Sequence, residues 1–384
     1  MLRLRVLVAV AGASILSTAP RPSLAAPPQL QLSGEIGPEL DTNALRQPEV
    51  GGLPVVSSGL MRIVVGGSLA LALGDHRLRL GYGGGAKIFM VEDARSADEI
   101  VHRADAFWGV AKGGFLWSLS GYYYDAFQRV SLRDLRTGIV QLGVSLFHSS
   151  RTQATLQLGY HGLEFKPLPE YNFNALRGQL RIARKLTSQD EDELRTWRVS
   201  LTYTASLRDY NGQAYGQREP CPTPDQTICN YPKDAARGDF DQLVRIAASY
   251  VGAAAASAWF GLEVNRSNSY GESFVRQVVG IKFTVRLFWE IFLTTKGALQ
   301  LARFRDPFRL SQVSTQTLVD IDNENRSSLV IHLGRDIGDH WGISARYSVY
   351  LAETQRRADA PEATAGFLRH LLFIGARFRY NSAE

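Results

Sequence analysis

The side chains best placed to do chemistry are basic. Arg77, Arg79, Arg177, Arg181, Lys185, Arg198, Arg245, Arg276, Lys282, Arg286, Arg346 and Arg377 lie in stretches where every second residue is apolar, and they occupy the polar phase. Arg62, Arg208, Arg369 and Arg379 share that phase. Glu263 is the clearest acid among them, whereas Glu92, Asp93, Asp98, Glu99, Asp190, Glu191, Asp192, Glu193 and Glu362 fall between the alternating stretches. A water-filled surface lined in this way lowers the barrier to anions and raises their local concentration. The other reading is that these arginines pair with neighbours or hydrate a polar wall.

Other chemistry lacks its residues. The histidines at 76, 102, 148, 161, 332, 340 and 370 are scattered, and none has a serine and an acid at a spacing that defines a triad. There is no G-x-S-x-G and no H-E-x-x-H. Enzymes whose sites are assembled from separate strands would leave no such trace. Cys221 and Cys229 lie in one polar stretch, "EPCPTPDQTICNYP". In an oxidising compartment they are expected to form a disulfide that clamps this segment, and a metal would need more ligands than stand nearby. No catalytic residue, metal or cofactor is expected.

The elements that carry these residues are strands. In "RTWRVSLTYTASLRDY", Trp197, Val199, Leu201, Tyr203, Ala205 and Leu207 alternate with Arg198, Ser200, Thr202, Thr204, Ser206 and Arg208. A period of two sorts these residues to opposite faces of a strand, and no helix would. The same pattern predicts sixteen strands: 29–41, 60–73, 76–91, 100–112, 115–128, 136–148, 153–165, 172–186, 194–209, 239–251, 256–268, 272–287, 289–305, 325–337, 340–353 and 365–380. The links that follow even-numbered strands are short. The long ones, 42–59, 210–238, 306–324 and 354–364, all follow odd-numbered strands. An up-and-down barrel with tight turns on one membrane side requires that asymmetry, and a soluble sandwich does not. The strands are also longer than the ~5–6 residues usual in soluble proteins. The fold class expected is all-β: a transmembrane antiparallel barrel of about sixteen strands, within a range of fourteen to eighteen. Mean hydropathy is low, −0.13, as it must be if only alternate residues meet lipid.

Residues 1–26 read as a cleaved secretory signal, with Arg3 and Arg5 before the apolar run 6–16 and small residues around Ala25-Ala26. Its removal takes away three arginines and no acid, lowering the net charge from +6 to +3. That balance does not argue for nucleic acid. Residues 27–384 then form one barrel domain.

Two local features complete the reading. "SGEIGPELDTNALRQPEVGG" is a strand that breaks at Asp41-Thr42-Asn43. Asp41 and Asn43 are expected to cap its outer end through side-chain oxygens, with Arg46 folding back onto Asp41. A direct ligand role for the three is the other reading. Aromatic residues suit the interface girdle of a membrane barrel, among them Tyr122, Tyr123, Tyr124, Trp197, Tyr203, Trp259, Trp341, Tyr347, Phe378 and Tyr380, with Trp108 and Trp117 flanking Gly113-Gly114.

These residues carry a resemblance. "GEIGPELDTNALR" resembles the first strand of outer-membrane barrels of exopolysaccharide and capsule export, which ends in a D-x-N-x-x-R pattern. "ENRSSLVIHLGRDIGDHWGISARYSVY" followed by "FLRHLLFIGARFRY" is similar to their last three strands, and to the barrel domain of the poly-N-acetylglucosamine export porin. The helical tetratricopeptide repeats of that porin are missing from this sequence. Gly375, Phe378 and Tyr380 resemble the C-terminal signal read by the barrel-assembly machinery, although Asn381 to Glu384 follow it and Phe373 stands where a polar residue is common. The resemblance implies a Gram-negative outer-membrane pore, in contact with outer-membrane lipid, that passively conducts a secreted or capsular polysaccharide. A separate periplasmic polysaccharide-export protein would deliver the polymer. A general diffusion porin favouring small anions and a structural or adhesive surface barrel are the alternatives.

Overall fold

Leu176 and Leu207 stand directly opposite each other on neighbouring strands, and they are 66% and 59% exposed. Their sequence neighbours Ala175 and Arg208 also face each other, on the other side of the sheet, and Ala175 is buried. Repeated around the molecule, this relationship makes a wall with a greasy exterior and a polar interior. The computed structural model describes residues 27–46, 55–130, 134–147, 149, 151–187, 195–218, 229–306, 327–352 and 367–382. The expected signal at 1–26 and Cys221 lie outside these residues, and so does any pairing of Cys221 with Cys229.

Among the described residues sixteen strands run in order. They are β1 (Gln29–Asp41), β2 (Ser58–Leu73), β3 (His76–Phe89), β4 (Glu99–Lys112), β5 (Phe115–Gln128), β6 (Leu135–Phe147), β7 (Thr152–Phe165) and β8 (Phe173–Thr187). The second half comprises β9 (Thr196–Arg218), β10 (Cys229–Val251), β11 (Ala254–Ser267), β12 (Phe274–Arg286), β13 (Ile291–Phe304), β14 (Ser327–Ile337), β15 (Trp341–Ala352) and β16 (Phe367–Asn381). Each pairs antiparallel with its sequence neighbours, and β1 pairs with β16, so the barrel is closed and has no free edge. Among the described residues no helix is long and apolar enough to cross a membrane.

Tight turns join even-numbered strands to the next at one rim. Gly74, Gly113, Gly114 and Gly338 take left-handed φ values of 60–80° there. The turn between β12 and β13 has no glycine. Trp289 (φ 55°) and Glu290 (φ 60°) adopt the same left-handed region instead.

Two sequence expectations are corrected. The segment 210–238 was expected to be one long loop, yet β9 runs on to Arg218 and β10 begins at Cys229. The ladder continues beyond the pair of Asp209 and Gly238 through Gln213 with Ala236, Tyr215 with Pro232 and Arg218 with Cys229, with register shifts on either side of Ala236. Alternation fails there because these residues rise beyond the apolar band, where backbone pairing continues without a lipid-facing phase. Secondly, Tyr122, Tyr124 and Trp259 belong to the inward phase, so they are not part of an exterior girdle. Trp117, Trp197, Trp341 and Tyr347 do face outward and are exposed.

The band has a polar upper edge over part of its circumference. His102, Asp125, Arg136 and Glu164 stand side by side on β4 to β7, all in the outward phase. The Tyr123 hydroxyl donates to Asp125 Oδ2 (2.9 Å), and so does Arg136 Nε (3.2 Å).

Candidate functional site

The candidate site is the inner wall. Phase and register put Arg77, Arg79, Arg177, Arg181, Lys185, Arg198, Arg245, Arg276, Lys282, Arg286, Arg346 and Arg377 on it. Arg77, on β3, has no carboxylate within 4.0 Å among the described residues and stands apart; the others fall into two populations, those with an acidic partner and those without.

The first population is neutralised. On β1, Glu35 and Glu39 point inward and gather cations from three strands, β2, β3 and β15. Lys87 Nζ lies 3.0 Å from Glu39, Arg62 Nε 3.7 Å, and Arg346 reaches both glutamates at 3.5 and 3.6 Å. Arg62 also donates to Glu35. Phe373 is buried between the guanidinium groups of Arg62 and Arg346, 5.2 and 5.1 Å from its ring centre. An aromatic face stabilises cations held over it, so the residue that departs from the assembly signal has a structural task. Arg377 donates to Asp336, Arg79 lies 3.6 Å from Asp105, and Arg286 donates to Glu290 at the tight-turn rim (2.6 Å). Higher on the opposite wall, Arg276 Nε donates to Glu263 (3.0 Å), and Arg208 lies 3.2 Å from Asp241. Arg237 bridges Asp239 (2.7 Å) and Glu272 (3.0 Å) while lying over Tyr210. Glu263 is thus one of several inward acids. Glu35, Glu39, Asp105, Asp241 and Asp336 each sit in an alternating strand, but single-sequence reading gave their phase no weight.

The second population is not neutralised. Arg177, Arg181, Lys185, Arg198, Arg245, Lys282 and Lys296 share the inner face of β8 to β13, and among the described residues none has a carboxylate within 4.0 Å. Their register is compact. Arg181 and Arg245 both stand opposite Thr202, one on each side. Four residues nearer the tight-turn rim, a single ladder row runs Lys185, Arg198, Ser249, Ser257, Lys282, Lys296. Lys296 lies in the expected strand 289–305 but is not among the cations singled out from the sequence. Like charges in nearby rows raise the potential of the wall they share, and a low-dielectric barrel focuses it into the water inside.

Asp41, Asn43 and Arg46 close the other end of the first strand. The backbone N–H of Asn43 donates to Asp41 Oδ1 (3.0 Å), which is an Asx turn. Arg369 Nε donates to both oxygens of Asp41 at 3.0 Å, while Arg46 lies 3.8 Å from Glu99. Asp41 and Arg369 are both buried, so this motif joins the ends of the barrel.

Gly375, Phe378 and Tyr380 lie on β16. The ring of Phe373 covers Gly375, where a Cβ would meet it at 2.3 Å. Phe378 packs on Trp341 (5.2 Å between centroids), and His340 lies beside both Phe378 and Tyr380. No cluster of three or more metal-ligating side chains occurs among the described residues.

No protein-family model matches the chain, and no curated protein matches it. Solved structures similar to it include a bacterial polysaccharide outer membrane secretin, at 10% identity and a TM-score of 0.40, covering 92% of this chain and 98% of that one. Another is OccAB1 of Acinetobacter baumannii, at 10% identity and a TM-score of 0.45, with coverages of 92% and 96%. A third is OpdL of Pseudomonas aeruginosa, at 8% identity and a TM-score of 0.43, with coverages of 92% and 99%. Likenesses this distant carry no functional argument, which has to come from the wall itself.

Proposed function

We propose that the protein is an outer-membrane pore through which an acidic secreted or capsular polysaccharide leaves the cell. The observation that carries this reading is the set of seven cations on β8 to β13 without a carboxylate partner. The lower row of this set, Lys185, Arg198, Lys282 and Lys296, lies near the tight-turn rim, which supports the direction of transport. In bacterial outer-membrane barrels the short turns face the periplasm, so a polyanion arriving from that side meets the basic wall first. Each contact is between a solvated cation and one acidic group. Such contacts are individually weak, so the chain can advance from one to the next and still leave. The pore needs no chemistry of its own, and the driving force comes from synthesis or from a periplasmic export protein that delivers the polymer. The signal segment 1–26 and recognition of the β16 end by the barrel-assembly machinery belong to the same proposal.

Deleting the gene tests it. Surface acidic polysaccharide should disappear while the synthesis enzymes remain active and polymer accumulates in the periplasm. Unchanged surface polymer in the deletion strain would overturn the reading.

The same cations also suit a diffusion porin for small anions. A porin of that kind conducts small anions steadily in a planar bilayer, and its loss leaves surface polymer intact.

A further inference from the structure

Trp259 is the aromatic residue that the cationic wall leaves to be explained. It belongs to the inward phase of β11, opposite Ala247 on β10 and Gly280 on β12. Its ladder level lies between the two cationic rows, two residues along the strand from each. Arg245 is its diagonal neighbour on β10, and Lys282 its diagonal neighbour on β12. Diagonal neighbours of this kind are within reach of long side chains.

The seat of the ring is built. A Cβ on Gly280 would lie 2.2–2.4 Å from three atoms of the indole, so the ring occupies the space that any other residue there would fill. Glycine in the middle of a lipid-spanning strand is costly in itself, and here it lets a large aromatic lie low over the inner wall. The indole is half-buried, which leaves part of its surface to the lumen. The Arg245 guanidinium sits 4.2 Å from the ring centre and has no carboxylate partner among the described residues. An indole face holds a guanidinium by cation–π attraction and leaves its outer N–H donors unused.

We propose that Trp259, Arg245 and Lys282 form a stacking station for one acidic pyranose unit of a polymer in transit. This rests on the export reading above and deepens it by naming the sugar chemistry. The C–H face of a pyranose packs on the open part of the indole, in the way apolar ring faces pack on aromatic surfaces. A carboxylate on that unit accepts from the free edge of Arg245, and Lys282 meets it or its neighbour from the other side. Cation attraction alone would draw any anion, whereas the aromatic floor selects anions borne on a flat, C–H-rich ring. The station sits within the cationic patch, so a chain held electrostatically passes over it.

The test is calorimetry on the full-length protein in detergent with oligogalacturonate, and with malto-oligosaccharide of equal length as the neutral probe. Oligogalacturonate should bind the natural protein, and the neutral probe should bind far more weakly. Trp259→Ala should weaken oligogalacturonate about tenfold, the upper end of what one aromatic contact supplies, and Trp259→Phe should retain most of the affinity. Gly280→Val should cause the same loss by removing the seat of the ring. The shift of the folded band on gels without and with boiling shows that each variant is a barrel. Binding unchanged in a folded Trp259→Ala barrel overturns the station, and so does equal affinity for the two probes. Absence of oligogalacturonate binding to the natural protein also overturns it. The gene deletion reports separately: if surface polymer survives while Trp259-dependent binding is present, the station stands and the export reading falls.

Discussion

Asp41 and Arg369 stand 328 residues apart in sequence and form a buried, two-pronged ion pair across the seam between β1 and β16. A closed barrel must join its first strand to its last. The pair sits where the first strand leaves the wall and the last one enters it, so it fixes the register of closure. Planar, bidentate arginine–carboxylate geometry gives that kind of specificity.

Removing one partner from the seam should therefore be expensive. Asp41→Leu takes away the carboxylate that holds Arg369, and losses of this kind cost about 3–5 kcal/mol. The double change Asp41→Leu with Arg369→Met should recover a large part, because no charge is then left buried. Urea unfolding of the purified barrel, followed by tryptophan fluorescence, measures both. A single variant with an unchanged midpoint would show that the seam does not depend on the pair.

Backbone contact at the same seam gives a sharper steric test. A Cβ on Gly37 would lie 2.1 Å from the carbonyl oxygen of Ile374, whereas one on Gly34 meets nothing closer than 3.9 Å. Overpacking that cannot relax costs about 1–3 kcal/mol or more. Gly37→Ala should lower the yield of folded barrel in the membrane, and Gly34→Ala should leave it unchanged.

Ion selectivity should follow the uncompensated wall. Reversing Arg181, Arg245 and Lys282 to glutamate leaves four of its seven cations facing three acids. The reversal potential under a salt gradient should move from anion preference toward cation preference. Changing Arg276 and Glu263 together to glutamine removes a pair that is already neutral, and it should move the potential little. Equal effects from the two sets would mean that the wall does not act through its net charge.

Salt should weaken that preference in a predictable way. The screening length falls from about 10 Å at 0.1 M to about 3 Å at 1 M ionic strength. Neighbouring rows of the cationic wall then cease to add their potentials. The anion-to-cation permeability ratio should therefore be largest in dilute salt and approach unity in concentrated salt. A ratio independent of salt would point to a steric filter.

The sequence by itself determined the architecture. Strict alternation in segments such as 196–208, together with long links only after odd-numbered strands, is enough to specify an up-and-down barrel, because a period of two assigns every side chain to a face without reference to any distant residue. The same local rule put the arginines in the polar phase. It failed where alternation is not required, as in the hairpin formed by β9 and β10 above the band. It also could not see closure. That Asp41 meets Arg369, that Glu39 collects Lys87, Arg62 and Arg346, and that Gly280 makes room for Trp259 all depend on which strands become neighbours and in what register. Phase says that a cation faces inward. Only the assembled cylinder brings an acid beside it or leaves it unpaired, since a salt bridge needs both partners within a few ångströms and sequence distance sets no such limit. The division of the inner wall into neutralised and unneutralised parts, on which the functional reading depends, was therefore decided by tertiary structure.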